Sequence, residues 1–222
     1  MILTKPYGYA PLKRTEGKHG RQYIVGESRP LPSVTTILDK TADKAFLVDW
    51  RKRVGDKEAN RISTESSSVG NQMHDNLERW VLDGDSPTGS PMARTLARLI
   101  IKNGLDKVDE VWGTEVQLYS PELFAGTTDL VGIHEGTPAI MDYKNSRRLK
   151  KREWVEDYMH QLVAYAEAHD AMYGTKIHKG VIMVGCWTGD YVEFVLEGAE
   201  WDKYVSSWND RLYSYYKKFG IG

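Results

Sequence analysis

The stretch AGTTDLVGIHEGTPAIMDYKNS, residues 125–146, brings two aspartates and a lysine into a spacing that can do chemistry. With Glu135-Gly136 as the two-residue loop of a hairpin, His134 faces Thr137, and counting outward sets Asp129 directly opposite Asp142. Cross-strand neighbours have Cβ atoms ~4.5–5.5 Å apart. A divalent ion with oxygen distances near ~2.0–2.1 Å can bridge such a gap. Lys144 lies two residues beyond Asp142, so both side chains leave the same face of the strand. Two carboxylates and a lysine converging on one spot meet the needs of metal-assisted phosphodiester hydrolysis. The carboxylates hold Mg²⁺ or Mn²⁺, the ion polarises the phosphate and acidifies a bound water, and the lysine supports transition-state charge. The blander reading makes all three solvent-facing strand residues. Strands disfavour aspartate, however, and both aspartates are flanked by apolar residues, Leu130-Val131 and Ile140-Met141.

Further polar residues flank this constellation. The run KNSRRLKKR, Lys144–Arg152, carries six basic residues and no acid, so Arg147, Arg148, Lys150 and Lys151 are candidate phosphate contacts beside the metal pair. A solvated basic turn is the ordinary alternative. Ser33 and Thr35 stand with Thr36 at an expected helix N-terminus, where free N–H groups favour an anion or are simply capped. The serines and Gly70 of Ser66–Gly70 read as a loop that a strand could approach closely. His74 neighbours Met73 on an apolar stripe, so taken alone it reads as a half-buried histidine at a packing edge.

The elements that must position these residues change character along the chain. Residues 1–32, rich in Gly, Pro, Lys and Arg, read as an irregular arm with a small hairpin. From Ser33 to Asn103 the pattern is helical, with a first helix starting at Ser33 and further helices expected over 43–54, 56–61, 68–82 and 92–103. In the fourth, Val69, Met73, Leu77, Trp80 and Val81 keep amphipathic spacing. The period then drops to 2 over 111–119, 123–133 and 139–145, giving three strands. A helix over 153–173, strands over 180–187 and 191–196 and a closing helix from Trp201 complete the chain. The order implies an α/β class with a mixed sheet flanked by helices: an arm, 1–32, and one domain, 33–222, divided into a helical region, 33–104, and a sheet core, 105–222.

Composition bounds the class. Among 222 residues, a single cysteine, Cys186, makes an intramolecular disulfide impossible and excludes a four-cysteine zinc or iron–sulfur site. Apolar runs fall far short of the ~20 residues of a membrane helix, and the N-terminal MILTKPYGYA has no secretory or transit pattern, so a cytoplasmic location is expected. The net charge is −1, but of 30 basic residues six fall in 144–152, leaving 24 against 31 acids elsewhere. Neutrality on average therefore conceals a basic edge beside an acidic site.

Four motifs in order carry a family resemblance: H-x-x-x-E at His74–Glu78, G-x-x-D at Gly126–Asp129, D-Y-K at Asp142–Lys144 and Q-x-x-x-Y at Gln161–Tyr165. Together they resemble the RecB-like exonuclease branch of the PD-(D/E)XK nuclease superfamily, which includes phage exonucleases and the mitochondrial genome maintenance exonucleases. The latter share a segment similar to Pro32-Ser33-Val34-Thr35. The resemblance implies a restriction-endonuclease-like core. It also implies metal ligation by His74, Asp129, Asp142 and the backbone carbonyl of Tyr143, with Glu115 as an auxiliary acid. Lys144 would be the catalytic lysine, with Gln161 and Tyr165 beside it and the DNA backbone. The iron–sulfur cysteines of some relatives are absent. The expected function is a Mg²⁺- or Mn²⁺-dependent exonuclease acting on single-stranded DNA with a free end, in replication, recombination or repair and most naturally in a phage or bacterium. The alternatives are a flap endonuclease with the same site, or a DNA-binding accessory protein with a vestigial one.

Overall fold

The computed structural model describes residues 1–27 and 29–220; the last two residues of the expected domain, 221 and 222, lie outside it. The arm is β1 (Ile2–Leu3), a hairpin of β2 (Lys13–Gly17) and β3 (Gly20–Ile24), and β4 (Leu31–Pro32). The helical region follows as α1 (Val34–Thr41), α2 (Ala45–Val54), α3 (Asp56–Asp83) and α4 (Pro91–Asn103). A 3₁₀ turn at Leu105–Lys107 leads into β5 (Val108–Ser120), β6 (Phe124–His134) and β7 (Thr137–Ser146). After a second such turn at Arg152–Trp154 come α5 (Glu156–Tyr173), β8 (Gly180–Cys186), β9 (Tyr191–Leu196) and α6 (Gly198–Phe219).

The mixed α/β architecture is as the sequence pattern implies. Six strands lie in the order β1-β5-β6-β7-β8-β9, while β2-β3-β4 form a separate small sheet. β5, β6 and β7 are an antiparallel meander, α5 makes the crossover that sets β8 parallel to β7, and β9 returns antiparallel. The irregular arm is more ordered than its composition suggests, since Ile2 and Leu3 add a parallel edge strand to β5.

Alternation along the strands builds two cores, one on each face. Val131, Ile140, Ile182 and Val184 pack with α1, α5 and α6, whereas Leu130, Met141, Val181 and Met183 pack with α3 and α4. At ~1.5–3 kcal/mol for each buried large aliphatic side chain, these two layers supply most of the drive to fold.

The β6–β7 turn is the expected one. Glu135 and Gly136 both take positive φ, 47° and 76°, as a type I′ loop requires, and His134 pairs with Thr137. One expectation is corrected: the helices over 56–61 and 68–82 are a single 28-residue α3, and Ser66–Ser68 is its interior rather than a loop. Serine costs well under ~1 kcal/mol in a helix, and two of these three are exposed, so nothing breaks the helix there.

Candidate active site

The β6–β7 ladder runs from His134–Thr137 to Leu130–Met141 and stops one step before Asp129 and Asp142. There the backbone N–H of Tyr143 donates 2.6 Å to Asp129 Oδ2 instead of to a strand carbonyl. A carboxylate thus enters the opening where the two strands part. Since the N–H and C=O of one strand residue point the same way, the carbonyl of Tyr143 faces that opening too. On β5, Glu115 lies between Thr114 and Val116, whose partners Leu130 and Thr128 flank Asp129. Three carboxylates therefore stand in one row across three strands. Glu115 occupies this place with φ of +50°, a left-handed conformation rare for glutamate and costing ~1–3 kcal/mol.

The helix above supplies the nitrogen. His74 projects from α3 so that Nδ1 lies 3.4 Å from Asp129 Oδ1, and its ring packs edge-on against Tyr143. Ligand atoms of His74, Glu115 and Asp129 all lie within 4.8 Å of one another. Asp142 is not in that trio; its Oδ2 is ion-paired with Lys144 and, though buried, accepts no well-formed hydrogen bond. Carboxylates with one imidazole suit Mg²⁺ or Mn²⁺, so the chemistry of this donor set fits such a metal. Strand alternation places Lys144 on the Asp142 side, where its ammonium lies over the ring of Tyr158, 5.1 Å from the centroid.

The electrostatics follow from crowding acids under low hydration. Partial loss of water, reinforced by Asp129, raises the Glu115 carboxyl to about 7 although the residue still reaches solvent. Burial also raises Asp142, and Lys144 offsets only part of this. Burial opposes ionisation of Asp129 as well, yet His74 and Lys144 together hold it below the usual carboxylate range. For His74 burial works against the charged ring, but Asp129 outweighs it and raises the pKa to about 9. Burial likewise opposes the Lys144 charge and is overcome by Asp142 and Asp129.

No family model and no curated protein matches the chain. Solved structures resemble it, two of which are as follows. The crystal structure of SSO0001 is 14% identical with a TM-score of 0.44, over 86% of this chain and 78% of that one. An alkaline exonuclease (LHK-Exo) from Laribacter hongkongensis is 14% identical with a TM-score of 0.30, over 85% of this chain and 91% of that one.

The remaining expected residues divide. Tyr165 is buried on α5 with its ring against Gly126, where an added Cβ would meet Tyr165 Cε1 at 2.6 Å. That contact gives the glycine of G-x-x-D a steric reason. Gln161 lies one turn before Tyr165 and one after Tyr158, half-buried. Ser33 is away from solvent and committed to capping α1: its Oγ accepts from Thr36 N at 3.0 Å, donates to Thr36 Oγ1 at 2.8 Å and lies 3.0 Å from the Thr35 hydroxyl. Thr35 itself is exposed. Arg147 stacks on Trp187 at 4.2 Å and is ion-paired with Glu65, while Lys151 lies 3.8 Å from Glu153. Arg148 is exposed and Lys150 half-exposed.

Two residues that sequence reasoning passed over hold this geometry. Tyr158 had no motif to mark it. Asn145 donates to Ser66 O at 3.3 Å and accepts from Trp187 Nε1 at 3.1 Å, tying the end of β7 to α3. Its signal was a polar residue prolonging D-Y-K.

Proposed function

We propose that the chain is a Mg²⁺- or Mn²⁺-dependent deoxyribonuclease, an exonuclease that hydrolyses single-stranded DNA from a free end. The observation that carries this reading is the convergence of Glu115, Asp129 and His74 within 4.8 Å, beside a buried Asp142–Lys144 pair where two strands part. The motif resemblance to RecB-like PD-(D/E)XK exonucleases supports the choice of single-stranded DNA.

In this reading Asp129, Glu115, His74, Asp142 and the Tyr143 carbonyl would hold the cation. A divalent ion so held supplies Lewis-acid polarisation of the phosphate and a bound water of lowered pKa. The backbone of Tyr143 fixes Asp129 by its 2.6 Å hydrogen bond, so the carboxylate needs little reorganisation. Lys144 stays protonated between Asp142 and Asp129 and gives a proton donor to the phosphate oxygen on which charge grows. Tyr158 limits where that ammonium can go, and Tyr165 walls the site from the α5 side. The exposed Arg148 and the half-exposed Lys150 hold phosphates outside the site.

The test is a timed digest of single strands labelled at each end, with Mg²⁺ or Mn²⁺, alongside circular single strands and a chelator control. Progressive shortening of linear strands with intact circles is expected. Cut circles would replace the exonuclease reading with an endonuclease one, and strands bound but uncut in every metal would leave a DNA-binding protein with a vestigial site.

A further inference from the structure

Helix α2 is anomalous: none of its ten residues is buried, although Phe46, Leu47, Val48 and Trp50 are apolar. Phe46, 76% exposed, Trp50 and Arg53 recur at i, i+4 and i+7 and so share one face. That face lines an open groove of about 1420 Å³ whose opposite wall, after β7, carries Arg148, Lys150 and Trp154. Small-molecule sites are typically ~300–1,000 Å³. This groove suits a chain-like ligand better.

Its floor leads to the active site. Asn145 and Ser146 continue β7 directly past Lys144, and Ser66 and Ser67 lie on α3 about 12 Å before His74, counted at ~1.5 Å per residue. An apolar groove alone would fit a protein. Here Arg53, Arg148 and Lys150 stand among the aromatics with no ion pair among the described residues. The groove's acids are mostly engaged: Asp157 with Arg211 at 3.1 Å, Glu153 with Lys151 at 3.8 Å, and Asp43 with the backbone N–H of Ala45 at 2.8 Å. Aromatic faces interleaved with unpaired cations match a strand of alternating bases and phosphates. Bases inside a duplex have no free π-face to offer, so the match is to unpaired nucleotides.

We infer that the groove between α2 and the segment after β7 is a track for single-stranded nucleic acid, with Phe46, Trp50 and Trp154 as stacking platforms and Arg53, Arg148 and Lys150 as phosphate contacts. This rests on the nuclease reading for its direction toward the metal site but is measured independently of cleavage.

The full chain carrying Lys144→Ala, with Mg²⁺, is titrated into a fluorescein-labelled oligothymidylate and into a blunt duplex, and anisotropy is read. Phe46→Ala and Trp154→Ala, at exposed positions that do not threaten the fold, are each expected to weaken single-strand binding by about fivefold or more and leave duplex binding unchanged. Trp50→Ala is expected to do the same. The combined Arg53→Ala, Arg148→Ala and Lys150→Ala chain is expected to lower the log–log salt slope by about 2. In the three aromatic variants with Lys144 intact, hydrolysis of bis(p-nitrophenyl) phosphate, too small to reach the groove, is expected to be unaffected. Single-strand affinity within about twofold across all these variants would overturn the track even if the small diester is cut. So would self-association that Phe46→Ala abolishes without changing strand binding, since α2 would then dock a second copy. Failure of the wild-type chain to cut any diester, with the aromatic losses still seen, would overturn the nuclease reading and support the track.

Discussion

Two histidines on helices packed against the same sheet have opposite fates. His169 on α5 is fully buried, with Nε2 2.9 Å from the Tyr9 hydroxyl and Nδ1 2.7 Å from the Thr175 hydroxyl. Thr175 donates to Asp170 Oδ1 at 2.6 Å, so its oxygen accepts from Nδ1–H and leaves Nε2 to accept from Tyr9. Both ring nitrogens are thus satisfied by the neutral ring. Rings of Tyr7, Trp112 and Tyr173 close around it, and burial lowers its pKa to about 4. Burial pushes His74 the same way, yet Asp129 reverses the outcome. Desolvation does not distinguish a structural histidine from a ligand. What faces the ring does: hydroxyls that complete a neutral tautomer in one region, crowded carboxylates in the other.

The largest expected effect lies at the carboxylates. Asp142→Asn should lower metal-dependent cleavage by ~10²-fold or more. It should leave the thermal midpoint unchanged or higher, because burial opposes the ionised Asp142 carboxylate more than Lys144 favours it. Parallel cleavage assays and melting curves check this, and a large fall in midpoint with cleavage retained would make the pair structural. The histidines should then part company. His169→Ala removes a packed ring and orphans two hydroxyls, costing ~3 kcal/mol and lowering the midpoint by roughly 6–12 °C, with cleavage per folded molecule unchanged. His74→Ala loses an ion pair with Asp129 but no packed core ring, so it should lower the midpoint less than His169→Ala does and weaken Mn²⁺ binding by ~10-fold or more, read by calorimetry. Equal stability losses at both positions would erase the contrast.

How much of this was legible in sequence follows the range of the interactions. The register that sets Asp129 against Asp142 was readable because a two-residue turn fixes it locally, and period-2 alternation put Lys144 on the Asp142 side. The placing of Glu115 was not, since it depends on a positive φ inside β5 that no local pattern announces. The fusion of two expected helices into α3 was hidden because serine is a weak signal for either state. His169 carries little mark in sequence: Thr175 follows it by six residues, but Tyr9 becomes its neighbour only when the arm folds over α5. The groove stayed hidden for the same reason: α2 and the segment after β7 are ~100 residues apart. The structure shows that Ser33 serves its helix, the simple alternative to an anion site.

The smallest effect is the sharpest in sign. His169 and His160 are both lowered to about 4, so below the unfolded value of ~6.5 the unfolded chain binds more protons and stability rises with pH between about 4 and 6.5. Glu115, raised to about 7, does the reverse: the folded chain holds the extra proton, so stability falls as pH climbs from ~4.5 to about 7. In metal-free buffer, Glu115→Gln should therefore gain on the wild-type chain as pH rises from about 5 to 7.5, while His169→Ala should lose its stability deficit below about pH 6.5. Saturating Mn²⁺ should invert the first difference and leave the second alone. The wild-type carboxylate then binds the cation only in the folded state, and binding tightens as its proton is expelled. Urea midpoints of the three chains at two pH values, with and without Mn²⁺, read all of this. A Glu115→Gln chain that stays the more stable with Mn²⁺ bound would remove Glu115 from the metal site while leaving Asp129 and His74 in place.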